Sequence, residues 1–382
     1  MLASNEKVSI IDDDVYYVKI HSESKTRSLR DFHNLFVKKL LINIVSNSGD
    51  LLIDYAVGKA GDLSKWKHSK IGFVLGIDIS RDNIENKIDG ACARYLNQLK
   101  KYKDLPKAMF LHGNTSQLIE NGNAFYNDTS KAVMNAIVGE GEKDKKILGA
   151  GVLQLFGVAN KRFNVSSIQF ALHYMFENKQ TLHHFLKNVS DYTRVGGYFI
   201  GTCFNGKEIF KMLEKVQYGK ENTIIKDSTK IWSIKKQYHS KNFPDNEKCL
   251  GYEIDIYQET INKYTKEYLV NFDYLTQVLA DYGFSPLTLE QCKRKGLKSG
   301  IHSFESLYNI LETSTKQDYG TALNMSDEEK TVSFLNQYFI YTKTHNVDTK
   351  EIVKMYTDSI IDVPVPFTIG KPRKLNERLK LI

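Results

Sequence analysis

Hydrophobic positions recur along this chain with two periods, and the switches between them predict its elements. Leu29, Phe32, Phe36, Leu40 and Ile44 return at three- and four-residue steps, which predicts an amphipathic helix over 29–44 with Asn34 and Lys38 on one face. Short apolar runs at 51–53, 73–77, 107–112, 163–170 and 196–203 read as strands. The first two end on Asp54 and Asp78, and helical patterns at 83–99 and 181–189 lie between later ones. Such alternation predicts a mostly parallel sheet covered on both faces. The double glycine Gly196-Gly197 is expected to be the turn that leads into the fifth strand. Beyond Gly206 the pattern changes to a helix at 207–216, alternating runs at 230–236 and 252–257, a helix at 272–282 and a closing aromatic strand at 334–343, expected to be antiparallel.

The less patterned segments complete the organisation. The polar, lysine- and glycine-rich stretch 121–151 reads as an insertion with a short helix near 131–138. Residues 1–27 read as an arm or linker with strand character only at 15–20, and 346–382 as a loosely packed tail with a basic end. A main domain over 28–345 is the consequence. No internal repeat is visible.

Composition narrows the function classes. At 382 residues with 41% hydrophobic and 26% charged, the chain has material for a sizeable α/β core. An excess of 53 Lys+Arg over 45 Asp+Glu, net +8, suits a polyanionic partner without singling one out. Cys92, Cys203, Cys249 and Cys292 form no C-x-x-C pair, so neither a disulfide framework nor a zinc site is expected, and a reducing compartment is the simpler assumption. No apolar run reaches the ~20 residues that span a bilayer, and the N-terminus lacks the pattern of a secretory signal. A soluble, intracellular protein is expected.

The candidate chemistry centres on 51–66, LLIDYAVGKAGDLSKW. A strand, a small-residue turn and a helix start follow one another, the arrangement in which backbone approaches a nucleotide-like ligand. Asp78 stands about 20 residues beyond the turn, where a carboxylate can accept both hydroxyls of a ribose. The turn offers only Gly58-x-x-Gly61, short of a dinucleotide fingerprint, and Gly58-Lys59 is followed by Ala60 rather than the Ser/Thr of a phosphate loop. An ordinary strand-to-helix turn that binds nothing stays open on this motif alone.

Further motifs, in order along the chain, carry a resemblance. Arg30-Asp31-Phe32-His33-Asn34 with Lys38, Asp54…Gly58-Lys59-Ala60-Gly61-Asp62 with Lys65-Trp66, Gly76-Ile77-Asp78 with Arg94-Tyr95, Gln169-Phe170-Ala171-Leu172-His173-Tyr174, Gly196-Gly197-Tyr198-Phe199-Ile200-Gly201-Thr202 and Lys266-Glu267-Tyr268-Leu269-Val270 resemble the motifs of the mRNA cap guanine-N7 methyltransferase family. The resemblance implies a class I S-adenosylmethionine-dependent fold, a Rossmann-like seven-stranded sheet, and methyl transfer to N7 of the mRNA cap without a general base. It implies cofactor contacts from Lys38, Asp54, Ala56, Gly58, Asp78, Asn114, Thr115, Gln169 and Tyr174. Cap contacts are implied for Asn34, Lys59, Lys65, Arg94, His173, Tyr174, Glu267 and Asn336, with His173, Tyr174 and Glu267 positioning the guanine. No metal is expected.

Departures from the family pattern mark where to look. Val57 stands in place of a cysteine, Ala60 of a glycine, Asn114 of an aspartate and Asn336 of a tyrosine. Ala60 must therefore avoid positive φ or accept strain. The insertion and the closing strand look most like the versions from large DNA viruses. The resemblance then implies a GpppN-capped RNA 5′ end as partner, and as candidates triphosphatase and guanylyltransferase modules in the same or another chain and an activating subunit. The corresponding compartments are host cytoplasm or virion for a viral version and the nucleus for a cellular one. Methyl transfer to another nucleobase or small molecule, and a non-catalytic activating subunit, are the alternatives.

Overall fold

A computed structural model describes residues 24–314 and 318–358. The strand expected at 15–20 and the basic end of the tail lie outside the described residues. The described strands are β1 (Leu51–Asp54), β2 (Phe73–Asp78), β3 (Lys107–His112), β4 (Phe163–Gln169), β5 (Thr193–Phe204), β6 (Glu221–Lys226), β7 (Thr229–Lys236), β8 (Glu253–Gln258), β9 (Lys263–Tyr268), β10 (Phe284–Pro286), β11 (Ile301–Ser303) and β12 (Asn336–Lys343).

The main sheet runs β3-β2-β1-β4-β5-β12-β10, with β11 also paired to β12. β1 to β5 are mutually parallel and β12 is antiparallel to β5. β10 and β11 pair with opposite halves of the same edge of β12, through Phe284↔Lys343 and Ile301↔Phe339, so the sheet is seven positions wide. β2 and β4 are buried along their whole length, which is why they read as continuous apolar runs. One face is covered by helices Asp128–Val138, Lys179–Tyr192 and Phe272–Asp281, through Met134, Ile137, Phe185, Leu186, Leu275 and Leu279. The other face is covered by Phe32, Phe36, Leu41, Trp66, Phe304 and Leu307. This strand order is the one the resemblance implies, a mostly parallel sheet seven positions wide with helices on both faces.

A second, antiparallel sheet, β6-β7-β8-β9, has its own small core of Ile231, Trp232, Ile234, Ile254 and Ile256 packed with Ile209, Leu213 and Leu269. β6 and β9 are its two edges. Their sequences are polar and only half-buried, so pairing with β7 and β8 rather than periodicity makes them strands.

Four expectations change. The helix expected over 83–99 divides into Arg81–Glu85 and Ala91–Leu99. The opening helix continues through Arg27–Asp31, Phe32–Val37 and Lys38–Val45, and its middle part is π-helical, with the Lys38 N–H donating to His33 O. One extra residue in that turn moves the fully buried stripe from Leu40 and Ile44 to Leu41, Ile42 and Val45. Gly196-Gly197 is not a turn before β5 but an irregularity inside it: Phe163 pairs with Thr193 and Val165 with Tyr198, so β5 carries extra residues against β4. Gly196 takes φ +80° there. Finally, Thr349–Thr357, within the stretch expected to pack loosely, is a helix. Ile352 and Val353 rest on the core, and Tyr356 stacks on His183 at 4.1 Å between ring centroids.

Candidate functional site

Asp54, Asp78, Asn114 and Gln169 lie at or just beyond the carboxyl ends of β1, β2, β3 and β4, neighbouring strands of the sheet. Ligands of open α/β sheets bind outside these ends. Asp78 organises the turn that follows β1. Its Oδ2 accepts the Gly58 N–H at 2.7 Å, and its Oδ1 accepts the Ser80 N–H at 2.9 Å and the Asn83 side-chain amide at 3.0 Å. Burial raises its pKa, opposed by those hydrogen bonds.

Gly58 adopts φ +54° and Ala60 φ +52°. The alanine therefore accepts the left-handed conformation, at about 1–2 kcal/mol. A Cβ built on Gly58 or Gly61 would meet nothing within 4 Å, so the turn faces open space. Ala56 donates its N–H to Asp54 Oδ1 at 3.1 Å. Burial, with Asp62 nearby, pushes Asp54 up to about 8. Asn114 Oδ1 accepts both the N–H and the hydroxyl of Ser116, at 3.0 and 2.7 Å, and Thr115 donates its hydroxyl to Tyr55 O.

From the opening helix, Lys38 Nζ reaches Asp62 Oδ1 at 3.0 Å. Lys65 Nζ meets the same oxygen at 2.8 Å and donates to Gly61 O at 3.0 Å. Burial works against the Asp62 carboxylate, but the two lysines hold its pKa well below the usual range.

The second half of the site stands over the end of β4. The Gln169 amide donates to Ser167 Oγ, and its carbonyl accepts from Thr202 Oγ1, both at 3.1 Å. Phe170 takes φ +56°, held by its N–H donating to Thr202 O at 2.9 Å. Its ring stacks on His33 at 5.3 Å, which ties this strained residue to the helix carrying Asn34 and Lys38. The 3₁₀ turn Leu172–Phe176 then places the His173 and Tyr174 rings 4.2 Å apart.

Glu267, near the end of β9, meets His173 from the second sheet, with Oε2 3.4 Å from Nδ1. Both are buried, at 2% and 5% exposure. Burial pushes Glu267 up to about 8 and His173 down to about 3, so His173 is neutral at physiological pH. Among the described residues His173 Nε2, Glu267 Oε2 and Asn336 Oδ1 are buried without a hydrogen-bond partner. Asn336 Nδ2 donates to Val332 O and Ser333 O. Buried polar atoms are normally hydrogen-bonded, so these three keep capacity to pair with a bound molecule.

The expected cations divide. Asn34 is half-buried and donates to Arg30 O at 3.0 Å. Arg94 is exposed on helix Ala91–Leu99. Lys59 is ion-paired with Asp82 and Asp89, each at 2.9 Å, and Lys65 with Asp62, so both expected phosphate contacts are turned inward. Sequence reasoning missed Asp62, Thr202 and His33 as site-forming residues. Asp62 had a visible signal, since Lys65 follows it at helical i+3 spacing. The described residues hold no cluster suited to a metal and no helix long and apolar enough to cross a membrane.

Comparison with known proteins identifies the family. The family model described as mRNA (guanine-N(7))-methyltransferase domain matches residues 13–344. A probable mRNA-capping enzyme of Acanthamoeba polyphaga mimivirus is 24% identical over 360 residues, covering 88% of this chain and 29% of the relative. The mRNA cap guanine-N(7) methyltransferase of Candida glabrata is 28% identical over 267 residues, covering 69% of this chain and 54% of the relative. The chain thus spans about half or less of the length of these relatives. A solved S-adenosylmethionine-dependent methyltransferase from Clostridium acetobutylicum superposes with a TM-score of 0.42 at 11% identity, over 85% of this chain and 94% of that one. That likeness is too distant to add to the strand order.

Proposed function

The chain belongs to the mRNA (guanine-N(7))-methyltransferase family, and we propose that it transfers a methyl group from S-adenosylmethionine to N7 of the guanosine cap of mRNA. The observation that carries the reading is the buried Glu267–His173 pair, with unpartnered atoms, just past β4, whose neighbour β1 leads into a glycine turn that faces open space. A module of 28–345 would do this work, with the 121–151 segment as its insertion.

The residues present fit the cofactor. Lys38 supplies a cation for a carboxylate, Asp78 an acceptor at ribose position, and Asn114, whose Oδ1 is taken by Ser116, an amide NH₂ for an adenine edge. In this reading Ala56 and Gly58 provide close backbone approach, and Gln169, Thr115 and Tyr174 complete the cofactor side. S-adenosylmethionine supplies, when bound, a methyl group already activated by a sulfonium charge.

Guanine N7 offers a lone pair and carries no proton, so the chain needs no general base. Its task is to hold the guanine in line and exclude water. An ionised Glu267 can accept the N1–H and N2–H₂ donors of guanine together. A neutral His173 adds no charge against the positive purine that N7 methylation produces. Arg94, exposed, is the cation left for the cap phosphates, since Lys59 and Lys65 are engaged. Asn34, Tyr174 and Asn336 complete the guanine pocket in this reading.

A relative named as a capping enzyme is spanned to only 29% by this chain. That supports supply of the triphosphatase and guanylyltransferase steps by other modules or chains, with an activating subunit as a further candidate partner. Substrate mRNA implies work inside a cell or virion. Kinetics of Glu267→Ala test the placement of the pocket. KM for capped RNA should rise while KM for S-adenosylmethionine stays; an unchanged capped-RNA KM would move the guanine site elsewhere.

A further inference from the structure

We propose that Asn188, on helix Lys179–Tyr192, is a positioning residue for the loop that reads the cofactor's adenine. The inference rests on the reading that the strand ends hold S-adenosylmethionine with its adenine at Asn114. The loop 114–119 leaves β3 with Asn114, Thr115 and Ser116 all buried. Buried backbone groups need partners inside the protein. A single side chain meets three of them. Asn188 Nδ2 donates to Thr115 O at 3.0 Å and to Gln117 O at 2.7 Å, and its Oδ1 accepts the Ile119 N–H at 3.0 Å. Both amide hydrogens and the amide oxygen are thereby used.

Asn188 also closes a ring with the residue that follows β1. Thr115 donates its hydroxyl to Tyr55 O at 2.9 Å, and the Tyr55 hydroxyl donates to Asn188 O at 3.2 Å. Tyr55, Thr115 and Asn188 are 1%, 4% and 1% exposed, so water does not compete for these bonds. Tyr55 stands between Asp54 and Ala56, and the ring therefore fixes the base-reading loop relative to the glycine turn. Lys187, the preceding residue of the helix, pairs with Glu120 at 2.6 Å and holds the far end of the loop. Ser116 donates its N–H and its hydroxyl to Asn114 Oδ1, which fixes the way the Asn114 amide faces. Thr115 and Gln117, the two carbonyls that Asn188 holds, flank that serine. Releasing them would unfix the Asn114 amide while leaving Asp78 and its turn in place.

The role predicts selectivity between bases. Hypoxanthine differs from adenine at one edge, offering O6 in place of the N6 amine and N1–H in place of the N1 lone pair. A loop held in one place discriminates between the two, and a released one does not. Isothermal titration calorimetry with S-adenosylhomocysteine and with S-inosylhomocysteine measures this. Binding of S-adenosylhomocysteine by the unaltered chain tests the cofactor reading first, and its failure would sink that reading alone. With that binding in hand, the unaltered chain should prefer S-adenosylhomocysteine by about tenfold or more. Asn188→Ala should weaken S-adenosylhomocysteine roughly tenfold and leave S-inosylhomocysteine within about twofold, so that the preference closes. Ser190→Ala, which removes from the same helix a hydroxyl bonded to Tyr282 O, should lower Tm without changing the preference. Asn188→Asp, which keeps the size of the side chain and its acceptor for Ile119, takes the place of the alanine variant should that one not fold. The proposal is overturned by equal losses for both ligands, by an unchanged preference, by no preference in the unaltered chain, or by failure of both Asn188 variants to fold.

Discussion

Glu267 Oε2 stands 3.4 Å from His173 Nδ1, two buried groups brought together from β9 of the second sheet and the turn that follows β4 of the first. Burial raises Glu267 to about 8 and lowers His173 to about 3. The two act on stability in opposite pH windows. Glu267 holds its proton in the folded chain where the unfolded chain has lost it, so its contribution is full below about 4.5 and declines as pH rises through about 8. His173 resists protonation in the folded chain, so its contribution declines as pH falls below 6.5 toward about 3. Glu267→Gln should therefore be more heat-stable than the unaltered chain at pH 8–9, with the gap closing toward pH 4.5. A pH-independent gap in thermal melts would contradict the assignment.

In the proposed reading the same proton governs substrate binding. Guanine's donors need the ionised carboxylate, so KM for capped RNA should fall as pH rises toward about 8, and Glu267→Gln should flatten that dependence. Steady-state kinetics between pH 6.5 and 8.5 read both. A profile unchanged by the substitution would remove Glu267 from guanine recognition.

Asp78 shapes the turn and, in the proposed reading, takes the ribose. Asn at this site would place an NH₂ where an N–H of Gly58, Ser80 or Asn83 now donates. Asp78→Asn should cost about 1–3 kcal/mol of stability and abolish S-adenosylmethionine binding by calorimetry. Retained affinity in a folded variant would rule out the ribose role.

Lys59 and Arg94 should separate cleanly. Lys59 joins Asp82 and Asp89 behind the turn, so Lys59→Met should lower Tm, at roughly 1–3 kcal/mol, in the absence of RNA. Arg94→Ala should leave Tm unchanged, raise the capped-RNA KM several-fold and reduce its salt slope by about 1. The reverse pattern would mean that Lys59 swings out to the phosphates.

How much of this could be read from the chain depends on where each constraint comes from. β1 and β2 were legible to their terminal Asp54 and Asp78 because strands buried on both faces read as unbroken apolar runs. β6 and β9 were not, because ENTIIK and KYTKEY become strands only by pairing with β7 and β8. The helix before β1 was visible, but its π-helical turn shifts the buried stripe by one residue, which no 3.6-residue period foretells. The strain at Ala60 followed from one missing glycine. The inward commitment of Lys59 and Lys65 did not, because a lysine's partner is a fact of three dimensions. Glu267 was reached through the family motif; its burial opposite His173 is a product of two sheets meeting.

The most direct measurement is methyl transfer by this chain alone. Labelled S-adenosylmethionine would be supplied with GpppN-capped RNA, and the cap structure analysed after nuclease digestion. The account predicts label in N7-methylguanosine of the cap and none in uncapped RNA. Label in another nucleobase or a small molecule, with the cap guanine unmodified, would contradict it.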